Sequence, residues 1–399
     1  MASATERVII VGAGPVGLVA AVQLARLGVP VLILESSEAL AEDLRASTFH
    51  PPTLDMLDEV GVADDILRQG LICPYWQFRD RKTGVIATFD LGLLAGETRH
   101  PYRVQCEQWK LTRLLRDKLA QNGVDIIYGV QATAVTQDDV GVTVLCEDAD
   151  GAELSYQARY VIGADGARSA VRKSLGIDFP GMTIPEIYLT MSTTHMFDRD
   201  FVDLSSIAYI SDPEEWFVLL RTPTLWRVLI PTDPTLRDEQ IIDPARVEAR
   251  LQSISPQPQA YPVVHKTAYR VHERVAANYV AGRAMLIGDA AHLNNPLGGM
   301  GMNGGIHDAM NLADKLGKVW HGADPALLGR FERQRRHVAV ETVQAQALRN
   351  RKILNEQDPS ARRAYHDELR AIVADPTRHR EYVRKSSMLQ SLRDLEKLD

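Results

Sequence analysis

Three glycines, Gly12, Gly14 and Gly17, with Glu35 eighteen residues beyond the last, have the types and spacing to hold a pyrophosphate and a ribose. The apolar, β-branched run of residues 8–11 reads as a short buried strand leading into them. Gly12 permits a tight turn, Gly14 lets a pyrophosphate approach the backbone, and Gly17 lets the next helix pack on the strand. Pro15 and Val16 lead into that helix, read over residues 16–27 and stopped at Gly28. Its positive end faces the phosphates. Residues 31–34 form a second apolar run, and Glu35 at its end is where a ribose-binding carboxylate belongs. A glycine-rich turn in an unrelated α/β domain is the competing reading.

Two further acids could accept hydrogen bonds from sugar or ribityl hydroxyls. Asp165, in Asp165-Gly166, follows the apolar strand 160–162, and Asp289, in Gly288-Asp289, follows the run 284–287. Either pair alone also reads as an ordinary turn.

These groups need elements to position them. After the first strand, helix and strand, a helix is expected over 52–67 and a hairpin over 77–89. An amphipathic helix is expected over 109–121, then strands at 124–128, 130–137 and 140–147. Residues 184–271 change character, with strand-like runs at 187–194, 206–210, 216–221 and 226–230. From Asn303 onward the chain reads as mostly helical, and the tail from 330 reads as a solvated helical face, with an oligomer contact as the second reading.

Composition sets outer bounds. At 399 residues and 45% hydrophobic content, the chain can bury a large core in two or three domains. A net charge of -7 argues against nucleic-acid binding. Cys73, Cys106 and Cys146 make neither a disulfide framework nor a metal cluster, so the expected setting is the cytoplasm and no metal is expected. No apolar run is long enough for membrane insertion.

Taken together, the motifs resemble those of the class A FAD-dependent aromatic monooxygenases, the para-hydroxybenzoate and phenol hydroxylase family, over residues 7 to about 345. The resemblance is most specific over 283–316, where Gly288-Asp289-Ala290-Ala291-His292 runs on through Pro296 to Gly301-Met302-Asn303. It implies an α/β fold: a Rossmann-type, glutathione-reductase-like FAD-binding domain with an inserted antiparallel β-sheet substrate domain and a helical C-terminus. The corresponding divisions are 1–183 and 272–345 for FAD, 184–271 for substrate and 346–399 for the C-terminal helices. Arg45 is expected near the flavin or its pyrophosphate, and Gln108 matches the glutamine opening the helix after the hairpin. Pro296 is expected at the isoalloxazine ring. The Gly301, Met302 and Asn303 amides are expected at the flavin pyrimidine edge, where a helix beginning at Asn303 would stabilise negative charge. Met300 stands where relatives often have glutamine. Asn294 and Asn295 are more polar than usual; they could bond a substrate or lie on a surface loop.

The implied activity uses NAD(P)H as co-substrate, with O2 reacting at the flavin C4a to form the hydroperoxide that hydroxylates a small aromatic ring. The sheet over 184–271 would roof the site. Arg221 or Arg227 could bind a substrate carboxylate or lie on the outer face, and Tyr209 could bond a phenol or be an ordinary sheet residue. His50 could be a base, or a capping or surface residue; His292 reads as structural. Homodimers are common in that family. Competing functions are a flavin halogenase, a flavin reductase or dehydrogenase, and a non-catalytic flavin-binding regulator. Trp226-Arg227-Val228-Leu229-Ile230-Pro231 lacks the second tryptophan of the halogenase motif.

Overall fold

The computed structural model describes residues 5–42, 44 and 46–398. The strand Val8–Val11 lies inside a six-stranded sheet. It pairs in parallel with Val31–Leu34 on one side and with Tyr160–Gly163 on the other. Val8, Ile9 and Ile10 are wholly buried, as a parallel strand covered on both faces requires. The helix Pro15–Arg26 packs along the helix Met300–Trp320, so residues almost 300 positions apart share one core.

A second sheet has eight strands, running His292–Leu293, Val263–Val275, Gly181–Thr193, Trp226–Thr232, Phe217–Arg221, Ile207–Ser211, Tyr75–Asp80 and Gly84–Asp90. Its neighbours are antiparallel except Ile207–Ser211 beside Tyr75–Asp80. This sheet is larger than the sequence suggests. The expected 77–89 hairpin forms and joins it. The strand Val263–Val275 was hidden in the sequence because its residues are mostly polar and only partly buried.

Three expectations change in detail. The helix expected over 52–67 is two helices, Pro51–Glu59 and Ala63–Gln69, because Gly61 between them takes a φ of +72°. The helix expected from Asn303 starts at Met300, with left-handed Gly299 as its N-cap. The tail is not simply a solvated face. Pro359–Ala374 and Pro376–Ser386 lie against the strand Gly84–Asp90, and Leu369, Ile372 and Val383 share a core with Trp76, Phe78 and Phe89. Glu97 fastens this tail through Arg380 and Arg384 at 2.7 Å and Arg393 at 2.9 Å. Hydrogen bonding from Arg384 is the main reason its carboxyl is held down at about 2.

Candidate active site

The N-terminal turn has the shape of a phosphate cradle. A Cβ on Gly17 would lie 2.1 Å from the Gly12 carbonyl, whereas one on Gly14 would meet nothing within 4 Å. Pro15 is at the helix start, and Val16 packs between Gly288 and Gly305. Glu35 accepts from the Ala13 amide at 2.7 Å and the Ser37 amide at 2.9 Å. Asp165 accepts from the Val171 amide through Oδ2, while its buried Oδ1 has no partner among the described residues. Asp289 is exposed in the short turn Gly288–Ala290.

Across from this cradle begins Met300–Trp320. The first amides of a helix have no intrahelical acceptor, so those of Gly301 and Met302 are available to a ligand edge, whereas Asn303, four residues past the N-cap Gly299, is where the helix's own bonding begins. The Asn303 side chain has another task. It accepts from the His50 amide at 2.9 Å and donates to the Thr48 and Gly299 carbonyls at 2.8 and 2.6 Å. It thereby clamps the loop before the helix to the strand Thr48–Phe49.

Two cavities meet between this loop and the large sheet. One is lined by Pro296, Leu297, Gly299 and Thr48 on the loop side and by Ile207, Val218, Leu220 and Leu229 on the sheet side. The other is lined by Trp76, Phe78, Met300, Tyr365 and Tyr382, among others. Tyr209 and Arg103 line both. Strand alternation explains the sheet side: Tyr209 pairs with Val218, and Val218 with Leu229, so all three share a face.

The same alternation sorts the expected substrate residues. Tyr209 and Pro296 line a cavity. Arg221 is on the opposite face from Leu220, paired with Asp198 at 3.2 Å, and lines neither cavity. Arg227 shares the cavity-side face but reaches past it, donating to Ser47 Oγ at 3.1 Å and to the Leu44 carbonyl. Arg45 lies outside the described residues. Gln108 opens the helix Gln108–Gln121, its amide bonded to the Ala46 carbonyl at 3.0 Å. His50 precedes the helix Pro51–Glu59 but does not cap it with its side chain. It is fully buried with Nε2 2.9 Å from the Gly298 carbonyl. Burial, reinforced by Arg103, drives its pKa well below the ordinary value, so the ring is neutral.

Sequence reasoning missed Arg103, Tyr365 and Tyr382. One His/carboxylate group that it also passed over, Asp55, Asp58 and His100, has ligand atoms within 4.8 Å of one another, but Arg99 already pairs with Asp58 at 3.1 Å.

Comparison with known proteins follows this geometry. A family model described as an FAD binding domain matches residues 5–346. Para-nitrophenol 4-monooxygenase of Pseudomonas sp. (strain WBC-3) is 33% identical over 99% of this chain and 96% of its own length. The chain belongs to the class A FAD-dependent aromatic monooxygenases. 6-Hydroxy-3-succinoylpyridine 3-monooxygenase of Pseudomonas putida (strain DSM 28022 / S16) is 34% identical over 96% of this chain and 98% of its own. The crystal structure of p-nitrophenol 4-monooxygenase from Pseudomonas putida DLL-E4 superposes with a TM-score of 0.91 at 32% identity, covering 96% and 98% of the two chains. Membership makes the protein a flavoprotein that hydroxylates aromatic compounds. The residues fit FAD: Gly14 leaves open space at the cradle, and Asp165 holds a buried acceptor that meets no donor among the described residues.

In this monooxygenase the expected polar loop residues divide: Asn294 is half-buried, its Nδ2 donating to the Asn295 carbonyl at 2.8 Å. Asn295 is fully buried and pins the loop before the helix Met300–Trp320: its amide donates to Glu273 at 2.8 Å, its Nδ2 to Tyr188 Oη at 3.0 Å, and its Oδ1 accepts from the Leu297 amide at 3.0 Å. Burial pushes the Glu273 carboxyl up to about 7, against the opposing pull of the Asn295 amide and Arg351. An unfolded glutamate titrates near about 4.3. Between these values the folded state binds more protons, so stability falls as pH rises toward about 7. Glu273→Gln keeps an acceptor for the Asn295 amide. It is expected to flatten that slope and to add about 1–3 kcal/mol above neutrality, read from urea unfolding across pH.

Proposed function

We propose that this monooxygenase uses NAD(P)H and O2 to hydroxylate a single-ring phenolic or hydroxylated heteroaromatic compound. The observation carrying this reading is the pair of aromatic and aliphatic cavities, one against Pro296 and Gly299 and the other against Gly298, that share the polar groups Tyr209 and Arg103. Two similar proteins are named for a nitrophenol and a hydroxypyridine, both one-ring compounds. In the overall reaction NAD(P)H is oxidised, one oxygen atom of O2 enters a ring C–H bond, and the other leaves as water.

FAD, when bound, accepts the hydride and activates O2. The protein binds and orients. Gly12, Gly14, Pro15, Val16 and Gly17 would cradle the pyrophosphate, and Glu35 a ribose. Asp165 and Asp289 would take the remaining hydroxyls, with Arg45 and Gln108 alongside. The Gly301 and Met302 amides, with Asn303 behind them in the same helix start, would face the pyrimidine edge, where the helix end favours negative charge on the reduced ring. Pro296 would lie against the ring system and present its substrate side to the cavity. The apolar faces of Leu220, Leu229 and Val218 exclude water from the reacting carbon. Within this reading, the six-stranded sheet with its helices is the Rossmann-type domain, formed from 1–183 and 272–345. The block 184–271 is the inserted substrate domain, enlarged by the 75–90 hairpin, and 346–399 closes over it.

The test is NAD(P)H oxidation by the FAD-loaded protein with a panel of phenols and hydroxypyridines, alongside product mass. A compound that accelerates oxidation and emerges one oxygen heavier is the expected result. Flavin that no aromatic compound causes to turn over would remove the proposal.

A further inference from the structure

We propose that Tyr365 and Tyr382, from the C-terminal helices, set the size limit on the substrate: they are the end wall of the outer cavity, which receives the group that the ring carries away from its reacting carbon. This rests on the hydroxylase reading above and deepens it.

The two cavities have walls of different origin. The inner one, against Pro296, is lined by residues drawn from 48–299. More than half of the outer wall comes from residues 346–386, including Ile353, Leu354, Tyr365 and Tyr382. The FAD-binding family model ends at residue 346, so the outer wall is added by a segment beyond it. Tyr209 and Arg103 line both cavities and mark where they join. A ring seated against Pro296 therefore points its far side past that junction toward the tail.

Aromatic packing fixes the two tyrosines. Trp76 and Phe89 stack with centroids 4.1 Å apart, and Tyr382 adds a third ring at 4.6 Å from Phe89. Tyr365 stands edge-on to Phe78 at 6.0 Å, and its hydroxyl shares a hydrogen bond with that of Tyr382. Burial raises both hydroxyls, so this end of the cavity is a neutral aromatic surface. The helices behind it are tied down on several sides. Arg362 pairs with Asp80 at 2.9 Å and Arg351 with Glu186 at 2.6 Å. Asn350 donates to the Leu297 carbonyl at 3.3 Å, joining the tail to the loop that carries Pro296. A wall held this way cannot retreat without breaking those contacts. A substituent that fills the outer cavity gains burial, and one that overlaps the wall meets close-packed atoms.

The experiment uses the FAD-loaded full chain with phenol and its methyl, propyl and phenyl derivatives, substituted at position 3 or 4. Binding is read from the change in flavin absorbance, and product formation is recorded separately. In the wild type, affinity is expected to rise with substituent size and then to fall on the order of 10–100-fold at the phenyl member. Tyr365→Leu and Tyr382→Leu should each restore the phenyl member on the order of 10–100-fold relative to phenol, whereas Tyr365→Trp should move the limit the other way. Tyr365→Phe and Tyr382→Phe keep the ring and should keep the limit. General damage would weaken every ligand alike and leave the ratio unmoved. Retained flavin absorbance shows that a variant is folded. A measurement on the wild type needs no variant: irradiated 3- and 4-azidophenol should attach to residues within 353–386. An unchanged ratio in a folded leucine variant, a limit that shifts in the phenylalanine variants, attachment confined to the sheet strands, or no binding by any member would each overturn the proposal. Product formation with an unmoved ratio overturns the wall alone. A limit that moves as expected without any product overturns the hydroxylase reading and leaves the wall standing.

Discussion

Asp308→Ala is expected to cost about 3–5 kcal/mol of stability and to strip FAD from the protein. Asp308 is wholly buried in the helix Met300–Trp320. It accepts from Arg335 Nε at 2.6 Å, His292 Nε2 at 2.7 Å and the Gly288 amide at 3.1 Å. Arg335, 1% exposed, donates its other described hydrogen bond to the Gly304 carbonyl at 3.1 Å. Removing the carboxylate leaves a buried guanidinium without its ion-pair partner and frees the turn that presents Asp289. Urea unfolding measures the first consequence; flavin content after gel filtration measures the second. A variant within 1 kcal/mol of wild type would contradict this account. The pH dependence has a definite sign. Burial pushes the Asp308 carboxyl up, but Arg335 and His292 together outweigh it, so its folded pKa lies below the ordinary value. Its contribution is therefore complete above the unfolded value of about 3.9 and is lost as pH falls through the folded one. The acid limb of the stability profile should be shallower in Asp308→Asn.

Gly17→Ala and Gly14→Ala are expected to fail differently. A Cβ on Gly17 would overlap the Gly12 carbonyl oxygen at 2.1 Å and crowd Ala164 Cβ at 3.2 Å. Both contacts involve a strand and helix fixed by the core, so the backbone must move. The expected cost is about 3–5 kcal/mol, seen as a lower urea midpoint whether or not flavin is present. Gly14 has no atom within 4 Å of its Cβ position, so Gly14→Ala should keep the midpoint of the flavin-free protein. Its methyl group would instead occupy the space where a pyrophosphate reaches the backbone. Flavin affinity should fall on the order of 10–100-fold, measured by the return of flavin fluorescence on dilution. Equal flavin affinity in Gly14→Ala would place the pyrophosphate elsewhere.

These two glycines also show why half of this molecule was legible in advance. Gly12, Gly14, Gly17 and Glu35 act through one turn and two adjoining elements, and the constraint is steric and local. The Asp165 and Gly288-Asp289 motifs likewise mark strand ends, and each strand announced itself as an apolar run. His292 was read as structural, and its bond to Asp308 provides the reason.

The substrate side obeyed no local rule. Arg221 and Arg227 looked alike in sequence. The pairing of Leu220 with Arg227 and of Arg221 with Trp226 put them on opposite faces of one sheet, and a one-residue difference in phase decided it. Tyr365 and Tyr382 sat in a charged tail and became cavity walls only because that tail folds back on the strand Gly84–Asp90. Arg103 carried no signal at all. The sequence by itself determined the shape of the glycine turn and of the strand ends that carry the acids, because backbone sterics and strand-to-helix turns are settled within a few tens of residues. Only the tertiary structure decided which residues line the cavities. Whether an arginine is a solvated surface charge or a buried cavity wall depends on neighbours contributed from residues 48, 76, 209 and 386.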